Sequence, residues 1–318
     1  MKNRVMDKRE ILTCKLCNQS FDELSELDSH IKLHKIKKES YYRKYYPRND
    51  LFTGDPISFT NSEFYLTSLF NNKNSLKAYF KNNNSAENTS ICLRLIKARM
   101  NFKKLNYIPC QVEARSLVLP AVSTMLGLFD YEEKLIDFGL KKKLKYDGFD
   151  IKKFPVGVPE SIVIDTREKK PLTLKTQTET IKLDHGDYAT STDSKFCIER
   201  KSLTDLVSTI SGGYDRFLRE LDGAKKEKKK IVVLVEDKIT NCLAFNKIPY
   251  YARMIKAQPS FIFHRIRHIL QNYKDVQFLF IDGRKEAARF VEFLLVYGNK
   301  VAKYDLQYLY DTKQLRLI

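Results

Sequence analysis

The pattern of hydrophobic and polar positions changes near residue 155. Beyond it, short β-branched runs alternate with segments of helical periodicity. The predicted strands are 161–165, 179–183, 187–191, 195–200, 231–236 and 276–281, and the predicted helices are 202–210, 214–227, 259–273 and 284–298. Largely apolar strands between amphipathic helices indicate a central sheet with helices on both faces, which is an α/β fold.

The first half of the chain has a different pattern. Residues 51–150 contain several segments of helical spacing separated by polar turns, which indicates an α-rich module. The run from 141 to 160 is rich in lysine and then in proline and glycine, which is typical of a linker. The predicted organisation is a finger-like segment at 1–36, a basic α-rich middle module at 37–150, a linker at 151–160, an α/β domain at 161–298 and a tail at 299–318.

The net charge of the chain indicates which class of molecule it binds. The 318 residues carry a formal net charge of +18, which attracts polyanions and makes nucleic acid the leading partner, with an anionic membrane surface as the competitor. No apolar stretch approaches the roughly 20 residues that span a bilayer, and the N-terminal segment lacks the apolar core of a signal peptide. We therefore expect an intracellular protein that does not enter a membrane. Its compartment would be the cytoplasm of a prokaryotic or virus-infected cell, or the nucleus in a eukaryote.

Four potential metal ligands lie near the N-terminus with the spacing C-x2-C, twelve residues, H-x3-H. They are Cys14, Cys17, His30 and His34. Phe21 and Leu27 stand where a ββα finger needs its small core. The segment resembles a C2H2 zinc finger and predicts a Zn2+ site. The start of its helix is acidic and polar, so the finger either contacts DNA or docks a protein.

The segment 35–50 interleaves lysines and arginines with Tyr41, Tyr42, Tyr45 and Tyr46. Cations that neutralise phosphates beside rings that stack on bases would form a nucleic-acid strip. The alternative is a solvated helix whose tyrosines pack against the next domain. The sequence leaves both interpretations open.

Acidic residues gather at the ends of the predicted strands. Asp165 ends one strand, Asp187 begins another, and Glu199 and Lys201 lie two apart on a third and hence on one face. Carboxylates in such places can hold Mg2+ or Mn2+, while the lysine orients or deprotonates a water molecule. Surface carboxylates without a metal remain the alternative at this point.

A longer set of residues resembles a known signature. The segments IVIDTREKKPL, LDHGDY and CIERKSLTDLVSTISGGYDRFLREL are similar to the XPF-type structure-specific nuclease family, in its compact prokaryotic or viral form. The family signature is V-x-D-x-R-E, then G-D, then E-R-K-x3-D. Here it is filled by Val163, Asp165, Arg167, Glu168, Gly186, Asp187, Glu199, Arg200, Lys201 and Asp205. The resemblance implies a restriction-endonuclease-like core with a central mixed sheet flanked by helices.

The resemblance also implies roles for individual residues. Asp187 and Glu199 would be the main metal ligands, with Asp165 completing the acidic cluster, and Lys201 would activate or position the attacking water. Glu168 belongs to the same catalytic set. Residues that would support the site or contact phosphate are Arg167, Arg200, Asp205, Tyr214 and Arg216. For the two arginines of the signature, an ion-pair lattice that fixes the carboxylates is an equal alternative.

The implied activity is that of a Mg2+-dependent endodeoxyribonuclease that hydrolyses phosphodiester bonds in branched, nicked or duplex DNA, in repair, recombination or replication or within a mobile element. The alternatives are a catalytically idle DNA-binding or scaffold subunit and an accessory protein that acts on RNA. Many family members carry a helix-hairpin-helix domain after the nuclease, whose pattern residues 299–318 lack. We expect the finger and the middle module to supply targeting, and the nuclease domain to contact a second copy or a partner protein.

Overall fold

The structure, a computed structural model, describes residues 8–103, 105–117, 119–155 and 157–315. The chain divides into two units. The first comprises the residues up to Leu105 together with Leu117–Lys134, and the second comprises Asn106–Ser116 together with all residues from Leu135 onward. This division differs from the predicted one, because 106–116 and 135–150 belong with the nuclease segment.

The first unit is α-helical, as predicted. The nine helices that the described residues form before the sheet begins are α1 (Lys8–Ile11), α2 (Leu24–Ile31), α3 (Lys38–Tyr45), α4 (Ser62–Thr67), α5 (Lys73–Asn82), α6 (Ser85–Lys103), α7 (Gln111–Ser116), α8 (Val122–Leu128) and α9 (Tyr131–Asp137). Of these, α7 lies in the second unit and α9 crosses the boundary. The strand pair expected of a ββα finger is present as one antiparallel bridge between Thr13 and Ser20.

The finger shares one hydrophobic core with the helices that follow it. Leu27 and Ile31 of α2 are fully buried in a cluster that also contains Tyr41, Tyr42 and Tyr46. The tyrosines of 35–50 therefore pack inward, and the structure favours the packing interpretation over a stacking strip for nucleic acid. Burial raises the pKa of the Tyr41 hydroxyl to about 12.

The second unit is built on a six-stranded mixed sheet. Its strands are β1 (Ser161–Ile164), β2 (Gln177–Thr180), β3 (Tyr188–Ala189), β4 (Phe196–Lys201), β5 (Lys230–Val235) and β6 (Val276–Phe280), in the order β2-β1-β3-β4-β5-β6. Strand β1 is parallel to β2 and antiparallel to β3, β3 is antiparallel to β4, and β4, β5 and β6 are parallel. All six predicted strands form, although β2 begins two residues earlier than its prediction.

Helices cover both faces of this sheet. Val233 and Val235 of β5 join the core that includes helices following β4 and β5, while the intervening Leu234 is equally buried toward the other face. The helices after β4 are α10 (Leu203–Ser211), α11 (Tyr214–Lys226), α12 (Ile239–Cys242), α13 (Pro249–Met254), α14 (Pro259–Asn272), α15 (Arg284–Tyr297) and α16 (Leu306–Asp311). The predicted α/β fold, with a mixed sheet flanked by helices, is confirmed.

Two segments outside the predicted nuclease boundaries are part of this unit. Gln307 of α16 is buried, accepts a hydrogen bond from the backbone N–H of Phe280 at 2.7 Å and donates to its carbonyl at 3.3 Å. The second segment precedes the predicted nuclease domain in the chain: the N–H of Gln111 donates to the Asp305 carboxylate at 2.7 Å. The part of the chain predicted as a tail thus forms hydrogen bonds with the edge strand β6. No helix among the described residues has both the length and the apolar character needed to cross a membrane.

Candidate functional site

The candidate active site lies where β1, β4 and β5 end and β3 begins. The backbone N–H of Asp165 donates to the carbonyl of Asp187 at 2.9 Å, and the N–H of Asp187 donates to the carbonyl of Ile198 at 2.8 Å. The ladder therefore brings Asp165, Asp187 and Glu199 to adjacent positions on three neighbouring strands. Gly186 makes this register possible: its φ is +76°, and a Cβ there would lie 3.0 Å from the Ile198 carbonyl.

Asp187 and Glu199 form a close acidic pair. Burial, and then the negative charge of Glu199, raise the pKa of the Asp187 carboxyl to about 8. Its Oδ2 accepts a hydrogen bond from the N–H of Arg200 at 2.8 Å. The ionised form of Asp187 is therefore disfavoured next to Glu199. A divalent cation held by these oxygens would relieve that repulsion, so the residues fit a Mg2+ or Mn2+ site.

Lys201 is directed at the same pair. Its Nζ donates to Oε1 of Glu199 at 2.5 Å. Burial alone would lower the pKa of this ammonium group, but the charge and hydrogen bond of Glu199 and the charge of Asp187 raise it overall. The geometry favours Lys201 as a donor that orients a ligand, rather than as the base that the sequence also allowed.

Asp165 is more enclosed than its neighbours. Its Oδ1 accepts from the backbone N–H of Arg167 at 2.8 Å and from Nε at 2.6 Å, and its Oδ2 accepts from Nη2 at 3.2 Å and from the N–H of Leu183 at 2.6 Å. Although burial raises the pKa of Asp165, these hydrogen bonds lower it overall. These hydrogen bonds engage both oxygens of Asp165 in its own turn, and its grouping with the metal ligands stays a prediction. The bonds of Arg167 to Asp165 favour a role in a network of ion pairs for this arginine.

Arg200 links two further carboxylates. It donates from Nη1 to Glu168 at 3.0 Å and from Nε to Glu236 at 3.0 Å, and all three side chains are less than 10% exposed. Oε1 of Glu168 also accepts from the N–H of Lys170 at 2.7 Å. For Arg200 too, a role in a network of ion pairs is thus favoured over a contact with phosphate. Glu236 was missed by the sequence analysis, although its position directly after the apolar run of a parallel strand is a usual place for site residues.

The three remaining residues of the predicted set lie on α10 and α11. Asp205 forms a reciprocal cap with Ser202, whose Oγ donates to the Asp205 carboxylate at 2.6 Å and accepts from its N–H at 3.2 Å. The hydroxyl of Tyr214 lies 2.8 Å from Nδ1 of His268, so this side chain is partly engaged within the protein. Arg216 is 72% exposed and available to a phosphate, with an ion pair to Glu220 at 3.6 Å.

The four finger residues converge on one point. Sγ of Cys14 lies 3.6 Å from Nε2 of His34, Sγ of Cys17 lies 3.2 Å from Nε2 of His30, and the two Nε2 atoms are 3.0 Å apart. All four ligand atoms lie within 4.8 Å of one another, and no other described residues form so close a group of three or more possible ligands. Burial raises the pKa of the Cys14 thiol, but the N–H groups of Leu16 and Cys17 lower it overall, which favours a thiolate ligand.

The outward face of the finger helix is acidic. Because α2 begins at Leu24, the positions that reach bases in DNA-reading fingers are Glu23, Glu26 and Ser29. Oε2 of Glu26 also accepts the N–H of Glu23 at 3.2 Å. On the inward side, Asp28 accepts hydrogen bonds from Tyr42 at 2.9 Å and from Ser62 at 2.5 Å. Of the two interpretations left open by the sequence, this arrangement favours docking to protein over reading of DNA.

Comparison with known proteins identifies the second unit. Residues 141–294 match the family model of the ERCC4 domain. Two solved structures of XPF from Aeropyrum pernix, one of them in complex with DNA, are 18% identical to the chain over 44% of its length, with TM-scores of 0.34 and 0.33. The matches span 67% and 66% of those XPF chains. No curated protein sequence gives a significant match. Residues 141–294 are therefore an ERCC4 domain, in agreement with the resemblance of this segment to the XPF-type endonuclease family.

Proposed function

We propose that this protein is a Mg2+-dependent endonuclease that hydrolyses phosphodiester bonds in DNA. The observation that carries the proposal is the acidic pair of Asp187 and Glu199 at the carboxyl edge of an ERCC4-domain sheet, with Lys201 bonded to it. A buried, repelling carboxylate pair is costly to stability and is typical of a site that is completed by a cation. The +18 net charge supports DNA as the substrate.

Asp187 and Glu199 would hold the metal, and Glu168 would face it from the neighbouring loop. When bound, Mg2+ supplies Lewis acidity to the phosphoryl oxygen and lowers the pKa of a coordinated water molecule. Lys201 keeps its proton, orients Glu199 and offers an N–H donor to negative charge that develops on the phosphate. Asp165 and Arg167 hold the turn that precedes Glu168.

Targeting belongs to the first unit in this proposal. Cys14, Cys17, His30 and His34 would bind Zn2+, since two thiols and two imidazoles within 4.8 Å of one another are a donor set that zinc prefers. The exposed acidic positions of α2 would then face a protein, while basic helices of the unit supply contacts to backbone phosphates. Branched, nicked and duplex DNA are the substrates to compare, with repair or recombination as the setting.

The test measures cleavage of labelled linear, nicked, flap and four-way-junction DNA with Mg2+ or with EDTA. Asp187→Asn removes one carboxylate with little change in volume, and Asp184→Asn removes an exposed carboxylate three residues earlier. We expect Asp187→Asn to reduce the rate at least about 100-fold, as expected from losing a metal ligand or electrostatic group at a catalytic centre. Asp184→Asn should cleave like the wild type. Equal rates for the two variants, or cleavage that persists in EDTA, would contradict the proposal.

A further inference from the structure

Arg284 makes contacts that its position on a helix does not explain. It is the first residue of α15, where the positive end of the helix dipole disfavours a cation. Its guanidinium nevertheless spans three acceptors. Nη1 donates to Oε1 of Glu236 at 3.3 Å, and Nη2 donates to the carbonyls of Lys170 at 2.6 Å and Pro171 at 2.5 Å.

The two carbonyls belong to the loop that carries Glu168. This loop, residues 166–172, follows the Asp165 turn and is tied down at its far end, where the N–H of Leu172 donates to the Tyr188 hydroxyl at 2.9 Å. Between those ends, the N–H of Lys170 donates to the Glu168 carboxylate at 2.7 Å. The backbone contacts of Arg284 therefore act on the segment that orients Glu168.

The contact with Glu236 acts on the same carboxylate from the other side. Oε1 of Glu236 accepts from both Arg284 and Arg200, and Arg200 in turn donates to Glu168 at 3.0 Å. Two guanidinium groups and two carboxylates alternate along this chain of ion pairs. Because Arg284 shares the charge of Glu236, Arg200 stays available to Glu168 instead of being drawn wholly toward Glu236.

We infer that Arg284 is a positioning residue for the candidate active site, which holds Glu168 in place through the 166–172 loop and through Glu236 and Arg200. The inference rests on the proposed nuclease function for its kinetic consequences, but its structural part is independent of activity. A planar fork that reaches a carboxylate and two carbonyls at once suits arginine and not lysine. Arg284 would not contact DNA in this role.

The competing explanation is that Arg284, which is 44% exposed, binds a DNA phosphate. The two explanations differ in what they predict. Loss of a phosphate contact raises KM and lowers the salt dependence of binding, with the loop unchanged. Loss of a positioning residue lowers kcat, leaves KM and the salt slope unchanged, and loosens the loop.

The experiment compares Arg284→Ala with Lys285→Ala, which removes the same charge from the next, exposed residue of α15. Hydrogen–deuterium exchange of peptides covering 166–172 reports on the loop without DNA or metal. We expect exchange of the Lys170 and Leu172 amides to be about tenfold faster in Arg284→Ala and unchanged in Lys285→Ala. Arg284→Lys, which keeps the charge and is the milder substitution for folding, should give an intermediate rate.

Kinetics complete the test. We expect kcat to fall about tenfold in Arg284→Ala, with KM for DNA and the salt slope within about twofold of wild type. Unchanged exchange in 166–172, in Arg284→Ala or in Arg284→Lys, would overturn the inference, as would a rise in KM with a constant kcat. A wild-type protein that cleaves no DNA would refute the proposed function, whereas the exchange measurement would still decide whether Arg284 holds the loop.

Discussion

Asp187→Asn should stabilise the metal-free protein while it slows cleavage at least about 100-fold. The pKa of the Asp187 carboxyl is raised from 3.8 to about 8 by burial and by Glu199. At pH 7 this shift corresponds to an upper limit of about 4 kcal/mol of folding free energy, which is lost because the carboxyl must take up a proton when the protein folds. Partial exposure of Asp187 and local relaxation reduce the expected gain from the amide to about 2 kcal/mol. For a unit of this size, that is a rise in Tm of about 4–8 °C.

The pH dependence follows from the direction of the shift. Because the folded-state pKa is above the unfolded value, the neutral carboxyl stabilises the fold at low pH and this contribution is lost as pH rises through about 8. The difference in Tm between Asp187→Asn and the wild type should therefore be small near pH 4 and largest near pH 8. Thermal unfolding in EDTA, monitored by circular dichroism, measures this difference at each pH.

Two controls make the result decisive. Asp184→Asn changes the net charge equally at an exposed position and should leave Tm within about 1 °C of wild type. Added Mg2+ should raise Tm of the wild type, because a ligand that binds only the native state stabilises it, and should do so much less for Asp187→Asn. If Asp187→Asn is no more stable than Asp184→Asn at pH 8, the argument from buried negative charge is refuted.

Three further predictions address the parts around the site. Cys14→Ser should abolish binding of Zn2+, measured by native mass spectrometry, yet keep most of the far-ultraviolet helix signal, because the finger shares its core with later helices; full zinc content would contradict the site. Tyr42→Phe, which removes the hydrogen bond to Asp28, should cost about 1–3 kcal/mol in urea unfolding of the first unit, and no loss would show the bond to be dispensable. Gln307→Ala leaves both backbone groups of Phe280 unpaired and should destabilise the second unit by about 1–3 kcal/mol; unchanged stability would separate α16 from the sheet.

The sequence predicts the sheet well because its strands have a strong local signal. Largely apolar runs such as 231–235 and 276–280 are buried on both faces, and Gly186 adopts a positive φ in the turn before β3. The C-x2-C and H-x3-H spacing likewise fixes a site through local geometry. The finger core is less local: Tyr41 and Tyr42 pack on residues that precede them by ten or more positions, and no period in 35–50 distinguishes that packing from a strip on the surface.

Long-range pairing explains what the sequence could not predict. The segment 106–116 belongs to the second unit because its backbone bonds to Gln271 and Asp305, which lie more than 150 residues later. Arg284 joins the site for the same reason, since its three acceptors lie 48, 113 and 114 residues earlier in the chain. The sequence analysis did not single out Arg284, and only the structure shows its partners.

The same signature contains two kinds of carboxylate, and charge balance separates them. Asp165 accepts four hydrogen bonds, three of them from Arg167, and its pKa is lowered overall. Asp187 has one hydrogen bond from the described residues, a neighbouring negative charge and a raised pKa. A bound cation adds little electrostatic stabilisation to a carboxylate whose charge is already balanced. It adds most to a carboxylate that is buried beside another one. This difference is why we place the metal on Asp187 and Glu199, and give Asp165 the task of shaping the turn that leads to Glu168.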